Sequence, residues 1–127
     1  MSTDFPHIVL LLGRLLLGGL FVFAGIRHMF LIPVLTQMIA ARGVPFPRAV
    51  LLAGSAFQFA AGLLVILGLF LPIAAFGLVL FTLAASIMLL NFWDMEGQPR
   101  QNTINVWLSN TAIIGGLMIT AAQGMTP

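Results

Sequence analysis

The chain has 127 residues, of which 61% are hydrophobic and 6% are charged. A single small domain cannot bury that much apolar surface in water, so the composition excludes a soluble globular protein and predicts one integral membrane domain over residues 1–127. The absence of cysteine excludes disulfides and thiolate metal sites, and a net charge of +2 from so few charged residues excludes a nucleic-acid-binding surface.

The first transmembrane helix is predicted at residues 8–29, because about 20 apolar residues cross the hydrocarbon core of a bilayer. It contains an intramembrane charge, Arg14, roughly 10 Å from its start. Such a charge is costly unless it snorkels or is paired, and its possible partners are neutral: Thr82, Thr120 and Gln123. Two interpretations stay open: a site for an anion or polar headgroup, and an arginine that snorkels to the membrane surface or caps helix carbonyls.

A short interfacial helix is predicted after the first span. Pro33 stands at its start, apolar residues follow at helical spacing, and Gly43 stands just past its end. Pro45 and Pro47 then prevent the helix from continuing. The chain therefore turns back into the membrane near Arg48.

Three further transmembrane helices are predicted, at residues 49–71, 73–92 and 105–123. The second and third spans meet at Leu71 and Pro72, which leaves a minimal loop and makes these helices antiparallel neighbours. The polar segment 93–103 is predicted to be a loop in water. The sequence thus predicts an all-α fold, an integral membrane four-helix bundle with a short interfacial helix between spans one and two.

The arginines indicate how the four spans are oriented. The first and third loops lie on one side of the membrane, and the arginines on this side are Arg27, Arg42, Arg48 and Arg100. The positive-inside rule places these loops in the cytoplasm. We therefore predict a multi-pass protein of the bacterial inner membrane with both termini in the periplasm.

The densest group of polar residues is predicted at the cytoplasmic ends of the helices. In a bundle, Arg27 can reach Asp94 or Glu96, and amide side chains can hydrogen-bond across helices or to a quinone-like carbonyl. The structural alternative is an interfacial salt bridge with interhelical amide hydrogen bonds. The residues predicted to bind a quinone or a lipid are Arg14, Arg27, His28, Gln58, Asn91, Asp94 and Asn110.

No cofactor centre is predicted within the chain itself. The two histidines, His7 and His28, lie 21 residues apart on one helix, and this separation of about 31 Å excludes a haem held between them. His28, Asp94 and Glu96 lack the ligand spacing of a metal site, so no metal is predicted. A redox role would therefore need a quinone, or a partner subunit that carries the electrons.

Over nearly its whole length the sequence resembles the DoxX family of small four-helix membrane proteins. The resemblance rests on Arg14, GIRHMF at 25–30, GLLVILGL at 62–69 and SNTAIIGGL at 109–117. The family pattern usually has a lysine where Arg27 stands, an acid where Gln58 stands and a lysine where Ser109 stands. The last two differences remove ionisable groups, and Gln58 can only hydrogen-bond.

The resemblance implies a membrane subunit associated with redox enzymes, since some relatives belong to thiosulfate:quinone oxidoreductases and others accompany oxidative-stress proteins. The leading hypothesis is an inner-membrane accessory subunit of a redox or respiratory complex, and at most a subunit of an oxidoreductase. Its lipophilic, quinone-accepting pocket is expected near Arg27, Gln58, Asn91 and Asn110.

The alternative hypothesis is a non-redox structural or lipid-binding protein that self-associates, in which Arg14 and Arg27 hold anionic headgroups. A transporter or channel is less favoured, because four short helices enclose little polar volume. Expected partners are membrane lipids, a redox-enzyme subunit and further copies of the chain.

Overall fold

The computed structural model describes residues 4–125, and this part of the chain contains helices and turns but no strand. Four helices are long and apolar enough to cross a membrane. A shorter helix lies between the first two of them, which confirms the predicted all-α fold. The helices are α1 (Asp4–Phe30), α2 (Ile32–Ala41), α3 (Pro47–Leu67), α4 (Leu71–Leu89) and α5 (Gly97–Met125), with a 3₁₀ turn at Phe92–Asp94 before α5.

Each long helix runs antiparallel to the one before it, so the bundle has two distinct ends. The short turn between α3 and α4, at residues 68–70, lies at one end with the first residues of α1 and the last residues of α5. We call this the turn end. The other end has α2, the 3₁₀ turn and the arginines of the predicted cytoplasmic loops, and we call it the basic end.

The turn between α3 and α4 begins earlier than the sequence predicts. α3 ends at Leu67, and Gly68 follows with a φ of +74°. The amides of Gly68 and Leu69 donate to carbonyls of the last helical turn at 3.2 and 3.0 Å, which is the hydrogen-bond pair of a Schellman motif. The predicted break at Leu71 and Pro72 instead starts α4, where a proline in the first turn loses no intrahelical hydrogen bond.

The predicted loop 93–103 is wrong for most of its length, because α5 already begins at Gly97. Pro99 lies in the first turn of this helix, where its missing N–H is tolerated. The hydroxyl of Thr103 donates to the carbonyl of Pro99 at 2.9 Å and so supports this turn. α5 therefore starts well before the predicted span 105–123.

Glycines allow α1 and α3 to pack backbone against backbone. A Cβ on Gly18 would lie 2.6 Å from the carbonyl oxygen of Gly62, and a Cβ on Gly62 would lie 2.8 Å from that of Gly18. Two turns further along α1, a Cβ on Gly25 would lie 3.1 Å from the carbonyl oxygen of Ser55. Side chains at these positions would push the two helices apart, so glycine is what permits this close contact.

The interior of the bundle differs between its two ends. Toward the turn end it is apolar, with a buried core of Phe21, Ala61, Val65, Ala74, Ala75, Leu78, Leu117 and Ala121. Toward the basic end, the core-facing sides of the helices are polar. We call these regions the apolar half and the polar half, and the polar half consists of His28, Ser55, Gln58, Thr82, Ser86 and Asn110.

Candidate functional site in the polar half

All four long helices contribute side chains to the polar half, at positions set by helical spacing. On α3, Ser55 and Gln58 lie on the face that also buries Val65. On α4, Thr82 and Ser86 lie four and eight residues after Leu78, on the face that it buries. The helices are apolar on most of their surface, and the face that points inward changes from apolar to polar along its length.

Two hydrogen bonds join helices within the polar half. Nδ1 of His28 on α1 lies 3.0 Å from Oγ of Ser55 on α3. The amide nitrogen of Asn110 on α5 donates to Oγ of Ser86 on α4 at 2.9 Å. The second bond agrees with the expected amide hydrogen bonds between helices, and both bonds join residues that are more than 20 positions apart in sequence.

Two further oxygens of the polar half are buried without a hydrogen-bond partner. They are Oε1 of Gln58 and Oγ1 of Thr82, and each residue is only 6% exposed. Leaving such a group unsatisfied costs roughly 1–3 kcal/mol, and no solvent water reaches a bilayer interior to satisfy it. The chain therefore presents unused hydrogen-bonding capacity on two neighbouring helices.

The register of α3 and α4 determines how far apart these two residues lie along the bundle. A Cβ on Gly54 would lie 3.2 Å from the ring of Phe81, and a Cβ on Gly77 would lie 2.8 Å from the ring of Phe57. Because the two helices are antiparallel, Thr82 lies opposite Ala53, and Gln58 is five residues further along α3. The two residues are therefore about 7–8 Å apart along the helix axes, or roughly one and a half helical turns.

The other residues predicted for this site lie closer to the basic end and are engaged differently. The side-chain amide nitrogen of Asn91 donates to the carbonyl of Ile87 at 2.7 Å. Its Oδ1 is buried and has no hydrogen-bond partner. Asp94 forms an ion pair with Arg42 at 3.2 Å, whereas the predicted pairing of Arg27 with Asp94 or Glu96 is not found in the described part of the chain. Arg27 is exposed, because it lies on the outer side of α1 at its last turn.

A set of contacts closes the basic end around the polar half. The indole N–H of Trp107 donates to the carbonyl of Leu90, and the ring of Phe92 packs edge-on against Trp107 with centroids 6.2 Å apart. The guanidinium of Arg100 lies 5.7 Å from the centre of the Phe92 ring. The salt bridge from Arg42 to Asp94 also joins α2 to the 3₁₀ turn.

Arg14 lies in the apolar half and shares no site with the other predicted residues. Its guanidinium packs against Gly68 at the end of α3, and it lines a cleft between α1 and α5 together with Thr120 and Gln123. Thr82, its third expected neighbour, belongs to the polar half. The hydroxyl of Thr120 donates to the carbonyl of Gly116 in its own helix at 2.8 Å.

The structure offers hydrogen-bonding groups for a ligand rather than metal ligands. Within residues 4–125, no three His, Asp or Glu side chains are grouped closely enough to hold a metal ion. The polar half instead presents neutral hydroxyl, amide and imidazole groups, which suit a neutral ligand with hydroxyl or carbonyl oxygens.

Comparison with known proteins identifies the family. Residues 9–91, more than half of the chain, match the DoxX family model. The chain belongs to the DoxX family. It is also 27% identical over 118 residues to the inner membrane protein YphA of Escherichia coli (strain K12), a match that covers 92% of this chain and 84% of YphA. No solved structure matches it.

These relationships agree with the fold in placing the chain in a membrane. The four membrane-length helices and the inner-membrane relative together indicate a multi-pass protein of the inner membrane. The DoxX match ends at residue 91, so α5, with Asn110 and one wall of the Arg14 cleft, lies outside it.

Two residues of this site, Ser55 and Ser86, were not predicted from the sequence, and a third, Thr82, was predicted as a neighbour of Arg14 instead. Their signal was present, because each continues a buried helical face at three- or four-residue spacing. Small hydroxyl residues are nevertheless common in apolar helices, where they can bond to their own backbone. Only the helix register shows which of them meet a residue on another helix.

Proposed function

We propose that this DoxX-family protein is an accessory subunit of a redox or respiratory complex and that its polar half binds the head of a quinone-class molecule. The observation that supports this most strongly is the pair of buried, unpartnered oxygens on Gln58 and Thr82. A quinol hydroxyl can donate to either oxygen, and a quinone carbonyl can accept from the Thr82 hydroxyl. Both redox states would therefore find a hydrogen bond there.

The chemistry of the chain limits what this subunit can do. It has no cysteine and two histidines, so electrons would enter and leave through a partner subunit. Gln58 is a neutral amide and cannot exchange a proton during turnover. The role that fits these residues is to position the quinone head, while the surrounding apolar helices accept its hydrocarbon tail.

Quinone retention tests this proposal directly. The protein would be purified gently from its own membrane, and the quinone content per chain would be measured by mass spectrometry for the wild type and Gln58→Leu. Gln37→Leu is the matched control, because Gln37 is an exposed amide on α2 outside the bundle interior. We expect the wild type and the control to retain quinone and Gln58→Leu to lose it.

Two results would contradict the proposed ligand: a wild-type preparation without quinone, and equal quinone content in Gln58→Leu. The accessory role needs a second measurement, in which quinone-dependent electron transfer is compared in membranes with and without the protein. Unchanged electron transfer would argue against a redox partner even if quinone is bound.

A further inference from the structure

A cleft with a cationic wall lies in the apolar half, away from the proposed quinone site. It has a volume of about 500 Å³ and runs between α1 and α5, which is within the range of roughly 300–1,000 Å³ typical of ligand pockets. Aliphatic side chains of both helices line it, including Leu10, Leu17 and Ile119. Gly13 and Gly116 contribute no side chain, so the two helices leave space between them.

Arg14 supplies the charge of this cleft. A Cβ on Gly68 would lie 2.5 Å from Nη1 of Arg14, so the guanidinium packs directly against the C-terminal cap of α3. The negative end of the α3 dipole favours a cation at this position. Nε of Arg14 is nevertheless buried and has no hydrogen-bond partner, so the surrounding helices do not fully satisfy the guanidinium.

Among residues 4–125, none of those that line the cleft has a carboxylate. Asp94 and Glu96 lie at the basic end of the bundle, whereas the cleft lies toward the turn end. Asp4 is on the same helix as Arg14, but its Cα lies about 15 Å further along the axis. The cleft is therefore complementary to a ligand with net negative charge, because its described lining has a cation and no anion to balance the amine of a zwitterionic headgroup.

The position of Arg14 also matches an amphiphile rather than a free anion. Its guanidinium packs against Gly68 in the turn between α3 and α4, at the turn end of the bundle. The ends of a bundle that spans a bilayer face the two headgroup regions, so a lipid headgroup can reach Arg14 from this end. From there the cleft continues past Leu17 and Leu20, toward the middle of the bilayer. A headgroup at Arg14 would thus have its hydrocarbon chain along an apolar wall.

We propose that this cleft binds an acidic phospholipid, with the phosphate on Arg14 and one acyl chain between α1 and α5. A phosphate oxygen accepts a charge-assisted hydrogen bond from the guanidinium, which is stronger than a bond between neutral groups. This site is separate from the polar half and does not depend on the proposed quinone function.

Lipid binding can be measured by native mass spectrometry after reconstitution into nanodiscs containing phosphatidylglycerol or phosphatidylcholine. We expect the wild type to retain phosphatidylglycerol and Arg14→Gln to bind it about tenfold more weakly, as loss of a charge-assisted bond implies. Arg48→Gln is the control, because Arg48 is an exposed cation at the basic end, and it should retain the lipid. Arg14→Lys should restore part of the binding.

A second variant tests the acyl-chain wall without changing the charge. Gly116 lines the cleft, and a Cβ there would lie 3.9 Å from the Leu17 side chain, which is ordinary contact. We expect the rest of the side chain in Gly116→Leu to extend into the cleft. We expect the variant to lose phosphatidylglycerol while keeping the wild-type helical content and monodisperse elution. This variant also decides the question if Arg14→Gln fails to fold.

Three results would overturn the proposal. They are equal phosphatidylglycerol retention by the wild type and Gly116→Leu, equal retention of phosphatidylglycerol and phosphatidylcholine, and displacement of the lipid by a quinone or by a second copy of the chain.

Discussion

The two halves of the bundle are held together by different forces. In the apolar half, Val65, Leu78 and Leu117 are fully buried, and they interact through packing alone. Lipid tails are as apolar as leucine, so this packing gains van der Waals contact rather than hydrophobic transfer energy. In the polar half, hydrogen bonds such as Asn110 to Ser86 join the helices, while two oxygens stay unpartnered. The buried residues of the apolar half are explained by their contribution to the stability of the fold. The two unpartnered oxygens of the polar half do not stabilise the fold and need another explanation.

The largest effect is expected from a cavity in the apolar half. Leu78→Ala should lower the free energy of unfolding by roughly 2–5 kcal/mol, because Leu78 is fully buried. The control is Leu80→Ala on the same helix, since Leu80 is 69% exposed and should change little. Unfolding in sodium dodecyl sulfate, followed by the fluorescence of Trp93 and Trp107, measures both. Equal losses would show that the apolar half is not the stabilising core.

The next effect concerns the contact between α1 and α3, which continues through both halves. Gly62→Ala places a methyl group 2.8 Å from the carbonyl oxygen of Gly18, and backbone cannot move aside easily. We expect a loss of about 1–3 kcal/mol. Gly19→Ala is the control because nothing lies within 4 Å of a Cβ there. If Gly62→Ala and Gly19→Ala have the same free energy of unfolding, α1 and α3 are not in close backbone contact.

A smaller effect is expected from the hydrogen bond between Asn110 and Ser86. Interhelical hydrogen bonds in membrane proteins contribute about 0.6 kcal/mol on average. A double-mutant cycle with Asn110→Ala and Ser86→Ala should give a coupling energy of this size, measured by the same unfolding assay. A coupling energy of zero would mean that these side chains do not meet across α4 and α5.

The smallest effect should come from Thr82. Thr82→Val removes a hydroxyl with no partner, so we expect unchanged or slightly raised stability in protein freed of ligand. Thr111→Val is the comparison, because the Thr111 hydroxyl donates to the carbonyl of Trp107 at 2.9 Å. A clear loss of stability in Thr82→Val would mean that its hydroxyl is satisfied within the protein.

The sequence was sufficient for those features that composition and local spacing control. Runs of apolar residues predict the four spans, and Pro33 with Gly43 predicts the interfacial helix α2, which the structure contains. The break between α3 and α4 was misplaced because the prediction treats Pro72 as the residue that ends a helix. Pro72 instead lies in the first turn of α4, where proline is tolerated. The real end signal is Gly68, which also makes room for Arg14.

Features that depend on helix register could not be predicted from the sequence. Gly18 and Gly19 are adjacent and identical in type, yet Gly18 meets the α3 backbone and Gly19 meets nothing. The predicted topology places Arg27 and Arg42 at the same end of the bundle as Asp94, but only Arg42 forms an ion pair with it. Which residue makes the contact depends on the rotation of each helix about its axis. Apolar residues occur on all faces of these helices, so the sequence pattern does not determine that rotation.

The most direct test of the account is ligand-induced stabilisation of the polar half. Wild type, Gln58→Leu and Gln37→Leu would be purified free of quinone, and their melting temperatures measured with and without an added short-chain quinol. The account predicts that the quinol raises the melting temperature of the wild type and of Gln37→Leu, because ligand binds the folded state, and leaves Gln58→Leu unchanged. Equal shifts in all three proteins, or no shift in the wild type, would contradict it.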